Sequence, residues 1–229
     1  MVWLMAHADV EATGITLSPY QASLARTRLS GRASVTASVT VTRGSFTSEA
    51  DLRRMADGRT LDAACMIESC VHADRIDALF ESLGTVMRPD GVLIICDDVP
   101  TARLLRQIAT QPSGDTSLPG HVRLNRRLAA DFRWGWHINT FQSVGHFAAS
   151  GERTGWRLEH STDLTKYVVT SRPRDVAARI ASVPARLVRA RASWWRNVIG
   201  GSALQRLIRR RLVGYRVLVF RRTGSLSDS

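Results

Sequence analysis

The residues best suited to proton transfer in this sequence are Glu68 and His72, which stand four positions apart. They follow the apolar run at residues 61 to 67, so both side chains should point into the cleft where a buried strand ends. Such a pair can take a proton from an attacking oxygen, nitrogen or activated carbon atom, one group as the base and the other orienting it. A purely structural alternative makes Glu68 a carboxylate that caps helix amides and His72 a half-exposed side chain.

Polar side chains also follow two earlier strand-like segments. Residues 16 to 21 come after the segment 10 to 16, and Gly44-Ser45-Phe46 come after an alternating segment at 34 to 42. In an open α/β sheet, ligands bind beyond the carboxyl ends of the strands. The three turns therefore predict a nucleotide-like ligand lying across them, and the residues alone do not choose the cofactor.

The elements that position these turns alternate between strands and helices. The predicted order is strand 10–16, a helix that Ser18 caps with Pro19 at its first position, strand 34–42, helix 48–56, strand 61–67, helix 76–87, the turn Pro89-Asp90-Gly91 and strand 92–96. The run at 61 to 67 is continuously apolar, which is typical of a strand buried on both faces of a parallel sheet. The alternation predicts the α/β class with a doubly wound sheet.

Past residue 100 the pattern is looser, with a Gly-, Pro- and Ser-rich stretch at 111 to 120. The predicted elements there are a helix at 140–153, a strand at 156–160, arginine-rich helical segments at 173–196 and 201–212, and a last strand at 215–220. A chain of 229 residues can bury a full core as one domain. Within it we expect a binding core at 1–98, a lid and helix at 99–155, and C-terminal strands at 156–223 with a helical insertion at 172–212.

Composition narrows the class of protein. Cys65, Cys70 and Cys96 have no metal-ligand spacing, so we expect reduced core thiols, no metal site and a cytoplasmic location. No segment has the features of a signal peptide or a membrane span. Arginine outnumbers lysine 31 to 1, which suggests a GC-rich coding bias as much as selection for phosphate contacts.

The net charge of +12 belongs to the C-terminal part of the chain. Residues 1 to 171 carry 18 basic and 18 acidic side chains, whereas residues 172 to 211 carry 11 arginines and one acid, Asp175. An apolar stripe in this region lies opposite arginines, and its members are Val176, Ile180, Val183, Leu187 and Val188. The pattern fits a helix lying on a membrane surface, and it fits equally an insertion that packs on the sheet. A nucleic-acid partner is disfavoured because the charge is local.

Three segments resemble one family. Residues 14 to 21, Gly-Ile-Thr-Leu-Ser-Pro-Tyr-Gln, resemble the second-strand motif of class I S-adenosylmethionine (SAM) dependent methyltransferases of the tocopherol, sarcosine/dimethylglycine and cyclopropane-fatty-acid group. Residues 61 to 72 resemble their fourth-strand motif, and residues 87 to 93 their turn into the fifth strand. The resemblance implies a Rossmann-like fold and methyl transfer from SAM to a small, apolar acceptor such as a lipid, quinone or terpenoid-like molecule. A dehydrogenase is a distant alternative, because the chain lacks a complete dinucleotide fingerprint.

The resemblance also implies roles for individual residues. The ribose and adenosine side of SAM would be held by Thr16, Leu17 and Gln21. Relatives have Gly-Asp-Phe at the positions of Ser45 and Phe46. The same cofactor site would be lined by Ile67. His72 would face the acceptor with Glu68 beside it. The lid would supply Trp136 and His137, and Tyr167 follows the next strand into the same region. For Ser45 a solvated loop serine is at least an equal alternative, and for any single lid tryptophan packing within the lid itself is the favoured one.

One expected family element is not visible in the sequence. The resemblance implies a first strand and a glycine-rich loop before a helix that ends near residues 5 to 8. We therefore expect the neighbours of that strand to lack a partner and, if the chain is native as given, SAM binding to be weak or absent. Two explanations stay open: the start codon lies further upstream, or the protein is a decayed paralogue. The alternative to an active enzyme is a truncated or inactive methyltransferase paralogue with a basic helical region that binds membranes or nucleic acid.

Overall fold

The computed structural model describes residues 10–29, 38–109, 118–170, 172–187 and 193–223. The strands are β1 (Glu11–Thr16), β2 (Ser38–Arg43), β3 (Leu61–Ile67), β4 (Met87–Pro100), β5 (Trp156–Asp163) and β6 (Val213–Arg222). The helices are α1 (Pro19–Leu29), α2 (Glu49–Ala56), α3 (Ile76–Gly84), α4 (Ala102–Ala109), α5 (Gly120–Trp136), α6 (Val144–Arg153), α7 (Pro173–Leu187) and α8 (Ser193–Arg209). Short 3₁₀ turns lie at Cys70–His72 and Thr165–Tyr167.

The strands form two separate sheets. Strands β1 and β2 pair in parallel, and the other four lie in the order β3-β4-β6-β5. Strand β3 is parallel to β4, while β6 is antiparallel to both β4 and β5. Within the described chain, no pairing joins β1 to β3, so each of these strands has a neighbour on one side only. The residues near 5 to 8, where a preceding helix was expected to end, lie outside the described part.

The first helices begin where the sequence predicts. The Ser18 hydroxyl accepts a hydrogen bond from the backbone N–H of Gln21 at 3.2 Å, and Pro19 is the first residue of α1. The Ser48 hydroxyl caps α2 in the same way, accepting from the N–H of Asp51 at 3.3 Å. Serine is a favoured cap because its oxygen satisfies an N–H that has no partner within the helix.

Strand β3 is the clearest correction to the sequence prediction. Only Met66 is buried, whereas Asp62, Ala63, Cys65 and Ile67 are exposed. The prediction of a strand buried on both faces is wrong, because the face of β3 that carries Ala63, Cys65 and Ile67 is exposed. Cys65 is accordingly an exposed free thiol and not a core residue.

Strand β4 is longer than predicted, because Pro89-Asp90-Gly91 lies inside it. Asp90 adopts a left-handed backbone with φ 62°, and the pairing with β3 shifts register between Leu61 and Ala63. A Cβ at Gly91 would lie 2.8 Å from the carbonyl oxygen of Arg88, so glycine is required there. The predicted turn is therefore an irregularity within a strand.

Helices α4 and α5 have no counterpart in the sequence prediction. In the arginine-rich region the described helices are α7 (Pro173–Leu187) and α8 (Ser193–Arg209), whereas the sequence predicts segments at 173–196 and 201–212. Residues 188 to 192 lie outside the described chain, as do 34 to 37 and most of 111 to 120. Helices α5 and α8 pack against each other over a second core cluster that includes Phe132 and Leu207. The first cluster lies around β3 and β4, where buried Trp156 donates from Nε1 to the carbonyl oxygen of Phe80 at 3.0 Å.

Candidate functional site

The turn after β3 carries both residues of the predicted proton-transfer pair. Glu68 adopts a left-handed backbone with φ 50°, and its N–H donates to the carbonyl oxygen of Cys96 at 2.8 Å. This bond fixes the end of β3 against the end of β4. The side chain of Glu68 and that of Ile67 before it are exposed at these strand ends.

The imidazole of His72 is held by the residue that ends α5. Its Nδ1 lies 3.1 Å from the carbonyl oxygen of His137. A carbonyl oxygen only accepts, so this hydrogen bond requires the proton on Nδ1, and neutral His72 then has its lone pair on Nε2. Asn139 donates to the carbonyl oxygen of His72 at 3.0 Å and to Asp74 at 2.7 Å, which fixes the backbone of the same turn.

Glu68 has a different partner, Tyr215 on β6. The Tyr215 hydroxyl donates to Oε1 of Glu68 at 3.2 Å. Burial, then the neighbouring Cys96 and Glu68, raise the pKa of Tyr215 above its usual value. The phenol therefore stays protonated and remains a hydrogen-bond donor to the carboxylate.

Two further carboxyl groups lie at the end of β4. Asp97 is buried and accepts from the N–H of Val71 at 3.2 Å and from that of Asp98 at 2.9 Å. Burial nevertheless raises the pKa of Asp97. Burial, with the nearby charges of Asp97 and Glu68, raises the pKa of Asp98 to about 7. Asp98 can therefore exchange a proton near neutral pH.

The turns after β1 and β2 form a second group of polar atoms. The Thr16 hydroxyl donates to the Gln21 amide oxygen at 2.8 Å and accepts from the N–H of Ser18 at 3.2 Å. The N–H of Gly44 donates to the carbonyl oxygen of Thr16 at 3.0 Å, which brings the two turns together. Leu17, at the tip of the first turn, is largely exposed.

The second turn uses Ser45 for its own structure. Its N–H donates to Asp51 at 2.8 Å, and its hydroxyl lies 2.8 Å from that of Thr47. The bond from Ser45 holds the pKa of Asp51 below its usual value. Phe46 is half-buried and packs against the first core cluster. The expected contacts of Ser45 and Phe46 with a cofactor stay predictions.

The two residues predicted to belong to the lid, Trp136 and His137, have contacts in different parts of the structure. His137 touches His72, whereas the side chain of Trp136, half-exposed, packs on Gly200 of α8, where a Cβ would lie 2.3 Å from the indole. Tyr167 is exposed, and Lys166 lies 4.9 Å from its ring centre. The turn that holds Tyr167 contacts the site through Thr165, whose hydroxyl accepts a hydrogen bond from the N–H of Tyr215 at 3.0 Å.

Sequence reasoning missed Asn139, Asp98 and Tyr215 as parts of this site. Asp98 offered a signal, since it ends an apolar run at the carboxyl end of a strand. Tyr215 offered none, because its position depends on the antiparallel pairing of β4 and β6, in which it faces Asp98. Among the described residues, no group of three or more potential ligands could hold a metal ion. The described helices include none that is long and apolar enough to span a bilayer.

No family model matches the sequence, and no curated protein is significantly similar to it. Solved structures do match. A mycolic acid cyclopropane synthase complexed with S-adenosylhomocysteine and CTAB aligns with a TM-score of 0.69 at 14% identity, over 96% of this chain and 72% of the other. A protein assigned as a sarcosine dimethylglycine methyltransferase from Galdieria sulphuraria aligns at 0.60 and 11% identity, over 96% and 80%.

Geranyl diphosphate C-methyltransferase from Streptomyces coelicolor A3(2), in complex with Mg²⁺, geranyl diphosphate and S-adenosylhomocysteine, aligns with a TM-score of 0.59 at 17% identity, over 96% of this chain and 66% of the other. The chain has the class I SAM-dependent methyltransferase fold. The α/β fold that the sequence predicts is confirmed. That the strand ends carrying Thr16, Ser45 and Glu68 line one binding site, as in open α/β sheets, stays a prediction.

Proposed function

We propose that the chain transfers a methyl group from SAM to a small, apolar acceptor. The proposal rests on the hydrogen bond between Nδ1 of His72 and the carbonyl oxygen of His137. This bond leaves Nε2 of His72 as a base at the carboxyl ends of β3 and β4. The fold supports the cofactor, since the similar cyclopropane synthase and geranyl diphosphate methyltransferase structures contain S-adenosylhomocysteine. These two proteins are named for a lipid and a terpenoid substrate, which supports an acceptor of that class.

The residues at the first turn fit one side of the cofactor. The amide oxygen of Gln21 accepts from Thr16, so the two N–H groups of the Gln21 amide point away from that bond. Gln21 and Thr16 would hold the ribose hydroxyls, and exposed Leu17 and Ile67 would pack against adenosine. Ser45 would meet the adenine amine, and Phe46 would stiffen the turn from the core side.

When bound, SAM supplies an electrophilic methyl group on a sulfonium that leaves as a neutral thioether. His72 accepts through Nε2 the proton that the acceptor loses when its new bond to the methyl group forms. Glu68, held by Tyr215, orients the acceptor beside His72.

Apolar and aromatic side chains at the strand ends favour an apolar acceptor. Trp136 at the end of α5 is half-exposed, and Tyr167 after β5 is exposed. Aromatic walls bind apolar groups and exclude water from the reacting atoms. We also propose a cytoplasmic location, because Cys65, Cys70 and Cys96 are free thiols, as a reducing compartment requires.

The test measures transfer of a labelled methyl group from SAM to lipid, quinone and terpenoid fractions. His72→Ala should lower the rate by about 10²- to 10⁴-fold, the usual contribution of a general base. SAM binding measured by calorimetry should be unchanged, because His72 lies outside the group of residues assigned to the cofactor. His160→Ala is the matched control, since His160 is an exposed histidine on β5. Equal rates for the wild type and His72→Ala would remove His72 from the mechanism.

A further inference from the structure

Helix α7 places its apolar side chains on the outside. Val176, Ile180 and Val183 are 40%, 69% and 56% exposed, and their spacing puts them on one face of the helix. We call these three residues the α7 stripe. Among the α7 side chains that the structure describes, the buried ones are polar, namely Asp175 and Ser182. This arrangement is the reverse of a helix that packs its apolar face on a protein core.

The contacts of α7 explain why the stripe points outward. Helix α7 packs against α8, and the hydroxyls of Ser182 and Ser202 lie 3.2 Å apart at that contact. The sequence left open that the stripe packs on the sheet, whereas the structure packs α7 against α8 through Ser182 and leaves the stripe exposed. A row of exposed aliphatic side chains costs free energy in water, which burial against an apolar phase would recover.

The charge around the stripe is of one sign. Asp175 is the single acid in residues 172 to 211, and it accepts a hydrogen bond from the N–H of Arg172 at 3.0 Å at the start of α7. The same segment has 11 arginines. On α8, a cavity of about 310 Å³ is lined by Ser202, Arg206, Arg209 and Arg210. Guanidinium groups in such a cluster match phosphate oxygens in charge and geometry.

Helix α8 connects this surface to the candidate site. A Cβ at Gly135 would lie 2.6 Å from the carbonyl oxygen of Arg196, so α5 and α8 touch through their backbones. Arg196 donates to the carbonyl oxygen of Trp134 at 2.8 Å and stacks over its ring at 4.6 Å. Three residues further along, His137 contacts His72.

We propose that the α7 stripe docks on the surface of an anionic phospholipid bilayer, where the arginines that line the cavity beside α8 contact lipid phosphates. The inference goes beyond the proposed methyl transfer and does not depend on it. Apolar side chains flanked by arginines are what an interfacial helix uses to enter the boundary between head groups and acyl chains. A nucleic acid offers phosphates but no apolar phase for the stripe.

The test is sedimentation of the full chain with vesicles of phosphatidylcholine alone and with added phosphatidylglycerol, without SAM or acceptor. The wild type should bind the mixed vesicles and not the neutral ones. Ile180→Ser/Val183→Ser should weaken binding by at least about tenfold, the loss expected when two aliphatic side chains no longer enter the interface. Val169→Ser is the matched control, because Val169 is 54% exposed outside α7, and it should bind like the wild type.

Three results would overturn the inference. The first is equal vesicle binding by the wild type and the double variant. The second is tighter binding to a DNA duplex than to mixed vesicles, with a steep loss as salt rises. The third is a dimer in light scattering that the double variant dissociates, since the stripe would then be an interface between two copies. Vesicle binding needs no catalysis, so a failed methyl-transfer assay would leave it standing.

Discussion

Replacing Asp98 with asparagine should stabilise the protein, and increasingly so as the pH rises from about 4 to about 7. Asp98 lies at the end of β4 with its pKa raised from 3.8 to about 7, chiefly by burial. A carboxyl group whose pKa is raised in the folded state holds its proton more tightly there than in the unfolded chain, so the fold loses stability as the pH rises from the unfolded pKa to the folded pKa. Asparagine has a similar shape and no charge, and it removes this destabilisation.

The magnitude follows from the size of the shift. The rise from 3.8 to about 7 spans about three pH units, and each unit corresponds to about 1.4 kcal/mol. The free energy of unfolding of the wild type should therefore fall progressively between about pH 4 and pH 7 through this group, and the full effect of at most about 4 kcal/mol is present above pH 7. For a chain of this size that corresponds to a melting temperature about 10 °C higher for Asp98→Asn at pH 8.

Urea and thermal unfolding of the wild type and Asp98→Asn from pH 4 to 8 would measure the effect. The two proteins should be equally stable near pH 4 and diverge as the pH rises. Asp62→Asn is the control, because Asp62 is an exposed aspartate on β3 whose ion pair with Arg88 lies on the surface; its effect should stay within about 0.5 kcal/mol at every pH. A constant difference between Asp98→Asn and the wild type across the series would refute the assignment.

Two further substitutions test the packing, both by urea unfolding. Gly135→Ala should lower the free energy of unfolding by about 2 to 3 kcal/mol, because its Cβ would meet backbone atoms of α8 at 2.6 Å. Gly120→Ala, with nothing within 4 Å of the new Cβ, should cause no loss, and equal effects at the two glycines would contradict the contact. Trp156→Phe should lose about 1 to 2 kcal/mol, because the buried carbonyl oxygen of Phe80 loses its donor. Trp134→Phe on the exposed side should lose less than about 1 kcal/mol, and a larger loss there than at Trp156 would show that the buried hydrogen bond contributes little.

Short-range signals in the sequence predicted the first half of the fold well. The starts of α1 and α2 depend on hydrogen bonds between residues three apart in the sequence, from the N–H of Gln21 to Ser18 and from the N–H of Asp51 to Ser48. Such short-range contacts are specified directly by the sequence. The positions of the polar turns after β1, β2 and β3 follow from the same local pattern. This is why Thr16, Ser45 and Glu68 could be assigned to strand ends before the structure was known.

Features that depend on distant parts of the chain could not be predicted. Helix α5 buries Asn125 and Gly135 among its apolar residues, which breaks the periodicity that would have indicated a helix. Gly135 is needed because another helix crosses there, and nothing near it in the sequence reports that crossing. Tyr215 reaches Glu68 only because β6 pairs antiparallel with β4. The exposure of one face of β3 likewise depends on which distant elements pack over it.

The division of the sheet makes the two halves of the proposed site unequal in local stability. Strands β1 and β2 form a two-stranded unit, and such a unit is only marginally stable by itself, whereas β3 to β6 form a four-stranded sheet over the main core. Thr16 and Gln21 therefore belong to a unit that opens at a lower free energy than the one holding His72. A ligand that spans both units binds only when both are closed. Its concentration would then set how often the β1–β2 unit opens, and amide hydrogen exchange in β1 would slow as the site fills.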